Sequence, residues 1–409
     1  MSGTEPIDSS SSYPAPPAPD FSLPMQPTHR ATCMAALMEE LVEEILLRVP
    51  PAHLIRAAMV CKAWCRILSD GGFRRRYSRF HRTPNLLGYF YNGAFMDAPE
   101  FVPTTSFSPP PVPTSCYYMA RDCRHDRVLI DDINDDSPGF IVWDLVTGNR
   151  QHLSFPPCAH TGQQTYLCSS TDAVLCARHQ HGCDHLDCHG GPFLVVSVKT
   201  QTTGAENYAT STCTCASVYS SETGAWSAET CATNQDYYGS VGFMKPSLLI
   251  GDALYFTLQC AVIRILKYDL GSHRLSTIDT PQVRHNQAIP IDIDGGLGIL
   301  QSHRNCIYTL SRQVDLNGVG VWVRHDVAEL ETLIPTWHTL GYEDDREYAD
   351  DDTIRFVEGT NTVLLCLNND IELGVFTLNL KSRQMRKVAQ TWDEDVLPYT
   401  SFYDPDLAN

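Results

Sequence analysis

The sequence has few basic residues and no uninterrupted apolar run long enough to cross a membrane. Its 409 residues include 30 Lys and Arg against 48 Asp and Glu, which gives a net charge of −18. This balance argues against nucleic acid as a general partner, because phosphate binding needs a basic surface. Neither a secretory signal nor an Asn-x-Ser/Thr glycosylation site is present. We therefore expect an intracellular chain, cytoplasmic and/or nuclear, that binds neither nucleic acid nor a membrane.

The motifs of common catalytic sites are also missing. The sequence contains no Gly-x-Ser-x-Gly elbow, no Gly-x-x-x-x-Gly-Lys phosphate loop, no His-Glu-x-x-His motif and no dinucleotide-binding fingerprint. Asp132, Asn134 and Asp136 begin like a calcium loop, but Ser137 replaces the glycine that such a loop needs. The acidic stretch 292–296 likewise lacks the later calcium ligands. The sequence thus predicts a protein that is not an enzyme and carries no cofactor.

Cysteine and histidine are concentrated in one short stretch, CARHQHGCDHLDCHGG, which begins at residue 176. A closed zinc site needs four nitrogen or sulfur ligands, and the candidates are Cys176, His179, Cys183, His185 and Cys188. The spacings match no standard pair of ligands separated by two residues, so a metal-free polar loop between two strands is the favoured prediction. Most of the sixteen cysteines are expected to be reduced thiols, as is usual inside cells.

The first eighty residues change character twice. Residues 1–30 are rich in Ser and Pro and hold few large apolar residues, which predicts a disordered tail. From residue 35 to 82, apolar residues recur at helical spacing in three short segments, and Pro50 and Pro51 end the first of them. So short a module seldom buries all its apolar side chains against itself. A partner or an adjoining domain should therefore cover part of this surface.

This helical module resembles an F-box. The resemblance rests on the leucine-rich opening helix, the sequence ILLRVPP, the VCKAW turn and the tryptophan that an apolar pair follows. Met38 departs from the family pattern, which has a proline at this point. The resemblance implies that the module docks on a Skp-type adaptor and, through it, on a cullin. The residues expected to contact the adaptor are Leu41, Ile45, Leu46, Val49, Pro50, Leu54, Ile55, Val60, Trp64 and Leu68.

From residue 85 to 405, short β-rich runs alternate with turn residues, as in LLGYFY, RVLIDD, GFIVWDL and FLVVSV, and almost no long helical pattern occurs. Strands of this length at regular spacing indicate an all-β domain. Four segments share one form, in which an apolar strand end leads through a polar turn into a second strand. These segments are VWDLVTGNRQHL, VYSSETGAWSAE, KYDLGSHRLSTI and FTLNLKSRQMRKV.

In these four segments Trp143, Tyr219, Tyr268 and Thr377 are predicted to be equivalent, at separations of 76, 49 and 109 residues. A degenerate copy near Val321 would divide the longest interval, and an inserted loop would account for the 76-residue one. A period of about fifty residues is typical of the four-stranded blade of a kelch-like β-propeller. We predict an α+β multidomain chain, in which a small all-α module precedes an all-β domain. A β-propeller of six or seven blades is favoured, and an irregular β-sandwich is the alternative.

The β-rich region also resembles the F-box-associated domains of plant F-box proteins, particularly those of grasses. LLGYFYN, FVPTTS and CRHDRVLI carry this resemblance, although Asp126 stands where the family pattern has glycine, which puts the tight turn there in question. The two resemblances together imply a non-catalytic substrate-recognition subunit of a Skp–cullin–F-box ubiquitin ligase, with an unknown target protein. Two alternatives are a small-ligand-binding or enzymatic propeller with an attached helical segment, and an F-box scaffold outside any ligase.

Overall fold

The computed structural model divides the chain into two compact units, Met1–Pro50 and Pro51–Asn409. It describes residue 3 and most of residues 38–402. Within 38–402 the undescribed positions are 50–53, 82, 94–97, 111–117, 133–137, 158–164, 179–182, 184, 186–187, 189, 206–207, 235–239, 242–245, 260–262, 282–287, 304–305, 316–319, 334–352, 369–372 and 391–395. The predicted disordered tail, residues 1–30, therefore lies outside the described residues apart from residue 3.

In the first unit a single helix, α1, is described over residues 38–46, and a turn follows it to residue 49. Glu39 and Glu40 lie in its first turn, where carboxylates interact favourably with the helix dipole. Arg48 forms an ion pair with Glu44 at 2.8 Å, and both side chains are more than half exposed. Such a surface pair contributes little to stability.

The second unit begins with three short helices, α2 (Leu54–Ala58), α3 (Lys62–Ser69) and α4 (Gly71–His81). Asp70 begins α4, because its Oδ2 accepts a hydrogen bond of 2.8 Å from the backbone N–H of Phe73. Leu54, Leu68 and Phe73 are buried, one in each helix. These helices thus have a small apolar core of their own side chains.

The rest of the second unit contains twenty-five described strands in six antiparallel sheets, here called blades. Two strands precede the first complete blade, β1 (Asn85–Tyr91) and β2 (Glu100–Pro103). Blade 1 consists of β3 (Tyr118–Arg124), β4 (Arg127–Asp132), β5 (Gly139–Asp144) and β6 (Arg150–Ser154). Blade 2 consists of β7 (Thr165–Cys176), β8 (Phe193–Ala205), β9 (Tyr208–Ser220), β10 (Ala225–Trp226) and β11 (Thr230–Asn234).

The later blades follow the same order. Blade 3 consists of β12 (Ser240–Val241), β13 (Leu248–Ile250), β14 (Ala253–Gln259), β15 (Arg264–Asp269) and β16 (Arg274–Asp279). Blade 4 consists of β17 (Ala288–Ile293), β18 (Gly296–His303), β19 (Cys306–Val314) and β20 (Gly320–Glu329), and the short helix α5 (Leu330–Leu333) follows it. Blade 5 consists of β21 (Thr353–Val357), β22 (Thr362–Asn368), β23 (Leu373–Asn379) and β24 (Met385–Ala389).

Blade 6 closes the ring with strands from both ends of the β-rich region. Its order is β2, β1 and then the last strand, β25 (Val396–Ser401). The antiparallel register of β1 with β25 runs from Asn85 opposite Ser401 to Tyr91 opposite Val396. The innermost strands also contact one another in a circle, from β25 through β3, β7, β12 and β13, β17 and β21 back to β25. The chain is therefore a six-bladed β-propeller preceded by a helical region, which confirms the predicted fold class.

The described apolar residues of the propeller include six buried clusters, one between each pair of neighbouring blades. The central strands of a blade are buried on both faces, and this accounts for the continuous apolar runs in the sequence. In β4, for example, Val128 and Ile130 belong to the cluster with blade 6, whereas Leu129 belongs to the cluster with blade 2. Each blade thus depends on both of its neighbours for its core.

The turn between the third and fourth strands is the same in blades 1, 2, 3 and 5. The residue that ends the third strand accepts a backbone hydrogen bond from the residue four positions later in blades 1, 2 and 5. That later residue has a positive φ in all four blades, at Gly148, Gly224, His273 and Arg383. The repeat seen in the sequence is therefore this hairpin.

The structure corrects two positions in that predicted repeat. Trp143, Tyr219 and Tyr268 each precede the turn by one residue and are buried. In blade 5 the equivalent residue is the buried Leu378, whereas Thr377 lies one position earlier and is only half-buried. A shift of one residue moves a side chain to the other face of a sheet. Val321 is also misplaced, because it lies in the fourth strand of blade 4 and not in the third.

The turn between β3 and β4 remains tight without the glycine that the family pattern has there. His125 and Asp126 both adopt a left-handed backbone, with φ of 51° and 65°. Aspartate tolerates this conformation better than most residues. Its carboxylate also accepts a hydrogen bond from the Ser401 hydroxyl on β25. Asp126 therefore joins blade 1 to the closing strand of blade 6.

The prediction that most cysteines are reduced needs one correction. Cys215 on β9 lies directly opposite Cys231 on β11, and the two form a disulfide. The free cysteines among the described side chains are Cys61, Cys65, Cys123, Cys176, Cys183, Cys188, Cys213, Cys306 and Cys366. The sequence alone did not reveal the pair, because β9 and β11 meet only in the folded sheet.

We predict that Asp144→Ala destabilises the propeller more than Asp269→Ala, although both residues end the third strand of a blade. Asp144 is buried, and its Oδ1 accepts hydrogen bonds from Val146 and Thr147 while its Oδ2 accepts one of 2.8 Å from Gly190 in blade 2. Loss of these charged hydrogen bonds should lower the free energy of unfolding by roughly 2–3 kcal/mol. Asp269 accepts hydrogen bonds from Ser272 within its own turn and forms a partly exposed ion pair with Lys267 of the same strand at 3.6 Å, so it joins no second blade through these contacts.

The measurement is urea-induced unfolding of both variants beside the unsubstituted chain. Equal midpoints for the two variants would show that the contact between Asp144 and Gly190 contributes nothing to the stability of the propeller.

Candidate functional site

Helix α1 presents apolar side chains on an exposed face, here called the α1 apolar face, formed by Met38, Leu41 and Ile45. Leu41 is 64% exposed and Ile45 is 58% exposed. These three residues recur at the spacing of one helical face. Leu46 is fully buried and Val49 is half-buried. The predicted adaptor contacts in this unit therefore divide into an exposed face and a buried remainder.

In the second unit the predicted adaptor contacts divide in the same way. Val60 is 62% exposed in the turn after α2, beside Met59, which is 80% exposed. Trp64 is half-buried, whereas Leu54 and Leu68 are buried. Pro50 and the side chain of Ile55 lie outside the described residues. Leu54 and Leu68 thus contribute to the core of the helices rather than to their surface.

Charged side chains meet near the centre of the propeller, where the innermost strands converge. Arg124 on β3 forms ion pairs with Asp122 and, at 2.6 Å, with Glu358 in the turn after β21. The guanidinium of Arg124 also donates to the carbonyl of Ser247 beside β13. Asp122 accepts from the N–H of Val174 on β7 at 2.7 Å. This central network therefore links blades 1, 2, 3 and 5.

The central network is largely buried, since Asp122 and Arg124 are 1% and 5% exposed. Burial raises the pKa of the Asp122 carboxyl to about 6, although the positive charge of Arg124 opposes the rise. The cavity beside the network has a volume of about 40 Å³. Such a volume holds water molecules but is far below the several hundred Å³ of typical ligand pockets. The central network therefore joins the blades and does not surround a substrate-sized pocket.

Three cysteines and one histidine converge where β7 ends and the loop 177–192 begins. The Sγ atoms of Cys176 and Cys183 are 3.9 Å apart, and those of Cys183 and Cys188 are 3.6 Å apart. Nδ1 of His185 lies 3.3 Å from Sγ of Cys188. All four ligand atoms lie within 4.8 Å of one another. Hydrogen bonding by the Cys188 thiol lowers the pKa of the Cys176 thiol. We call these four residues the Cys₃His cluster.

The Cys₃His cluster is held by two residues of blade 1. The ring of His125 stacks on that of His185 at a centroid distance of 3.9 Å, and its Nδ1 accepts a hydrogen bond from the backbone N–H of Cys176. Arg127 is 2% exposed and donates to the carbonyls of Cys188 and Gly191. The loop is thus fixed to the neighbouring blade through both side chains and backbone.

The structure brings together four of the five zinc candidates from the sequence, and the fifth, His179, lies outside the described residues. His185 and Cys188 are separated by two residues, a spacing that the sequence prediction did not recognise. The sequence analysis also missed Asp122, Arg124 and Arg127. The only signal for them was the run RDCRHDR, whose charges are unusual in an inner strand of a buried sheet.

The calcium candidates remain without support. Asp292 and Asp294 lie at the hairpin between β17 and β18, where Asp292 Oδ1 accepts a hydrogen bond from Gly295 N–H. Asp132 is buried in β4, and Asn134 and Asp136 lie outside the described residues. Among the described helices, none is both long and apolar enough to cross a membrane.

The helical region and the propeller define an F-box protein with a C-terminal β-propeller. The F-box domain family matches residues 37–76. The family described as "F-box protein AT5G49610-like, beta-propeller" matches residues 119–405, which is more than half of the chain. The chain therefore belongs to this family. No curated protein matches the chain.

Several solved structures are similar to the chain at low sequence identity. TolB from Acinetobacter baumannii is 12% identical, with a TM-score of 0.39, over 80% of this chain and 69% of that one. A putative TolB from Agrobacterium tumefaciens is 10% identical, with a TM-score of 0.32, over 70% and 90% of the two chains. Apo AztD from Citrobacter koseri is 10% identical, with a TM-score of 0.37, over 74% and 79%. At these values the similarities carry no functional argument.

Proposed function

We propose that the chain is the substrate-recognition subunit of a Skp–cullin–F-box ubiquitin ligase. The observation that supports this role most strongly is the F-box match over residues 37–76, together with the apolar side chains exposed there. In this role the F-box docks on a Skp-type adaptor, the adaptor binds a cullin, and the propeller holds a target protein. The role requires an intracellular chain, in the cytoplasm and/or the nucleus.

The adaptor-binding residues in this proposal are the α1 apolar face in the first unit and, in the second unit, Met59, Val60 and the exposed part of Trp64. Six of the eight large apolar residues that are strongly exposed in the described chain lie between residues 38 and 80. Exposed apolar residues in such number mark a protein-binding surface more often than a solvent-facing one. Leu46 in the first unit and Leu54 and Leu68 in the second are buried, so each stabilises its own unit rather than contacting the adaptor.

The propeller has the role of a rigid holder for the target. Six blades with shared cores give a scaffold whose strands have fixed positions relative to one another. The chain itself performs no covalent chemistry in this proposal. It raises the effective concentration of the target near the ubiquitin-conjugating enzyme. The kelch-like character of the blades is part of the proposal and is supported by the hairpin repeated in blades 1, 2, 3 and 5.

The experiment is affinity purification of the tagged full-length chain from cells, with the Skp-type adaptor and the cullin both quantified by mass spectrometry. The proposal predicts that both co-purify in amounts comparable to the chain. Adaptor without cullin would favour an F-box scaffold outside any ligase. If neither the adaptor nor the cullin co-purified, a small-ligand-binding or enzymatic propeller would be favoured. Either of these two results would overturn the proposal.

A further inference from the structure

We propose that the Cys₃His cluster binds one Zn²⁺ ion, and that this ion fastens the loop 177–192 to blades 1 and 2. Zinc bound tetrahedrally has Zn–S bonds of about 2.3 Å and Zn–N bonds of about 2.0–2.1 Å. These lengths require S···S edges of about 3.8 Å and S···N edges of about 3.6 Å. The observed separations are 3.9 and 3.6 Å between sulfur atoms and 3.3 Å between His185 Nδ1 and Cys188 Sγ.

The chemical types of the donors select zinc. Three thiolates and one imidazole are soft and borderline ligands, and tetrahedral sites of this composition bind zinc in preference to magnesium or calcium. Four protein ligands leave no open position for water or substrate, so the site is structural rather than catalytic. Binding displaces three thiol protons to solvent and leaves His185 neutral. The zinc, its three thiolates and the imidazole then carry a net charge of −1.

A buried positive charge lies beside the site to balance this net negative charge. The guanidinium of Arg127 donates to the carbonyl of Cys188 and, at 2.7 Å, to that of Gly191. Because Arg127 is almost fully buried, little water screens its interaction with the cluster. The carboxylate of Asp144 accepts a hydrogen bond from the backbone N–H of Gly190, within the same short segment. Arg127 and Asp144 therefore both hold Cys188 and the residues that follow it.

The backbone and the neighbouring rings orient the ligands. Cys176 is fixed at the end of β7, because it pairs with Phe193 on β8 and its N–H donates to His125. His185 has a left-handed backbone, with φ of 56°, which is uncommon for a residue other than glycine. Stacking against His125 holds its ring with Nδ1 toward the sulfur of Cys188. Such outer contacts are usual around structural metal sites.

Zinc binding also explains the inserted loop that is expected in the 76-residue interval between Trp143 and Tyr219. Loop 177–192 joins the first two strands of blade 2, so it lies at the same end of the propeller as the β3–β4 turn. It has few apolar side chains, so a loop of this length would otherwise gain little from packing. A metal that joins three of its residues, Cys183, His185 and Cys188, to Cys176 at the end of β7 supplies the missing stabilisation, since zinc binding contributes directly to folding.

The test measures zinc in the full-length chain, produced in zinc-supplemented medium and purified in metal-free buffers. We expect about one zinc per chain by elemental analysis. Cys183→Ser and Cys188→Ser should each lose nearly all of it, whereas His185→Cys should retain it, because thiolate is an equally good zinc ligand. Two control variants, Cys213→Ser and Cys306→Ser, remove thiols outside the cluster and should retain the metal.

X-ray absorption at the zinc edge of the unsubstituted chain gives an answer that does not depend on the folding of any variant. The proposal predicts three sulfur atoms at about 2.3 Å and one nitrogen at about 2.0–2.1 Å. A chain without stoichiometric zinc, zinc that persists in both serine variants, or zinc lost in Cys213→Ser alone would each overturn it. The last result would place the metal at Cys213 on β9, away from the Cys₃His cluster.

Discussion

The double substitution Leu41→Asp with Ile45→Asp is expected to lower the affinity for the Skp-type adaptor at least about 100-fold, a loss of roughly 2.7 kcal/mol or more. Both side chains lie on the α1 apolar face and are more than half exposed. Large apolar anchors dominate the energy of protein interfaces, and a carboxylate buried at the centre of one lacks a partner. Binding of the purified full-length chain to the purified adaptor, measured by isothermal titration calorimetry, tests this.

The control is Val314→Asp, which introduces one such carboxylate at a residue that is 59% exposed on blade 4. Neither the control nor the double variant should change the unfolding temperature appreciably, since all three side chains face solvent. An affinity of the double variant within threefold of the unsubstituted chain would show that the α1 apolar face does not bind the adaptor. By contrast, Leu46→Ala removes a fully buried side chain and should lower stability together with any loss of binding.

Arg124→Met is expected to lower the free energy of unfolding by about 3–5 kcal/mol, which is the usual cost of removing one partner from a buried ion pair. The substitution leaves Asp122 and Glu358 beside each other without their shared positive charge. It also removes the hydrogen bond to the Ser247 carbonyl. Thermal unfolding followed by circular dichroism should show a midpoint lower by about 5–10 °C.

Lys381→Met provides the control for Arg124→Met. Lys381 also pairs across two blades, with Asp294 at 3.0 Å, but both side chains are more than 60% exposed. An exposed pair contributes little, so the midpoint should hardly move. The triple variant Asp122→Asn, Arg124→Met and Glu358→Gln should recover much of the lost stability, because it removes the buried charges together. If Arg124→Met were no more destabilising than Lys381→Met, the central network would not hold the blades together.

The sequence predicted the propeller because its signals are local. Apolar runs such as those of β4, β5 and β8 are buried on both faces, and the hairpin turn recurs at recognisable intervals. The one-residue error at Thr377 arose because the sequence analysis did not identify Asn379 as the turn residue, although the apolar residues of FTLNL alternate at Phe376, Leu378 and Leu380. Asn379 Oδ1 accepts hydrogen bonds from Lys381 and Ser382, which places the turn and makes Leu378 the equivalent of Trp143.

The remaining features depend on contacts between residues far apart in the chain. Blade 6 joins β1 with β25, and the central network joins Arg124 with Glu358, so neither has a local signature. The Cys₃His cluster has a local sequence signal but also depends on contacts with residues distant in the chain. Its donors are visible in sixteen residues of sequence, but the convergence of Cys176 with Cys183 and Cys188 depends on the path of the loop against His125 and Arg127.

We expect the F-box of this chain to bind a Skp-type adaptor directly. The most direct test mixes the purified full-length chain with the purified adaptor and measures the molar mass of the product by size-exclusion chromatography with light scattering. We expect a stable complex of one chain with one adaptor, which the Leu41→Asp, Ile45→Asp variant fails to form. Separate elution of the two unsubstituted proteins at micromolar concentration would contradict it.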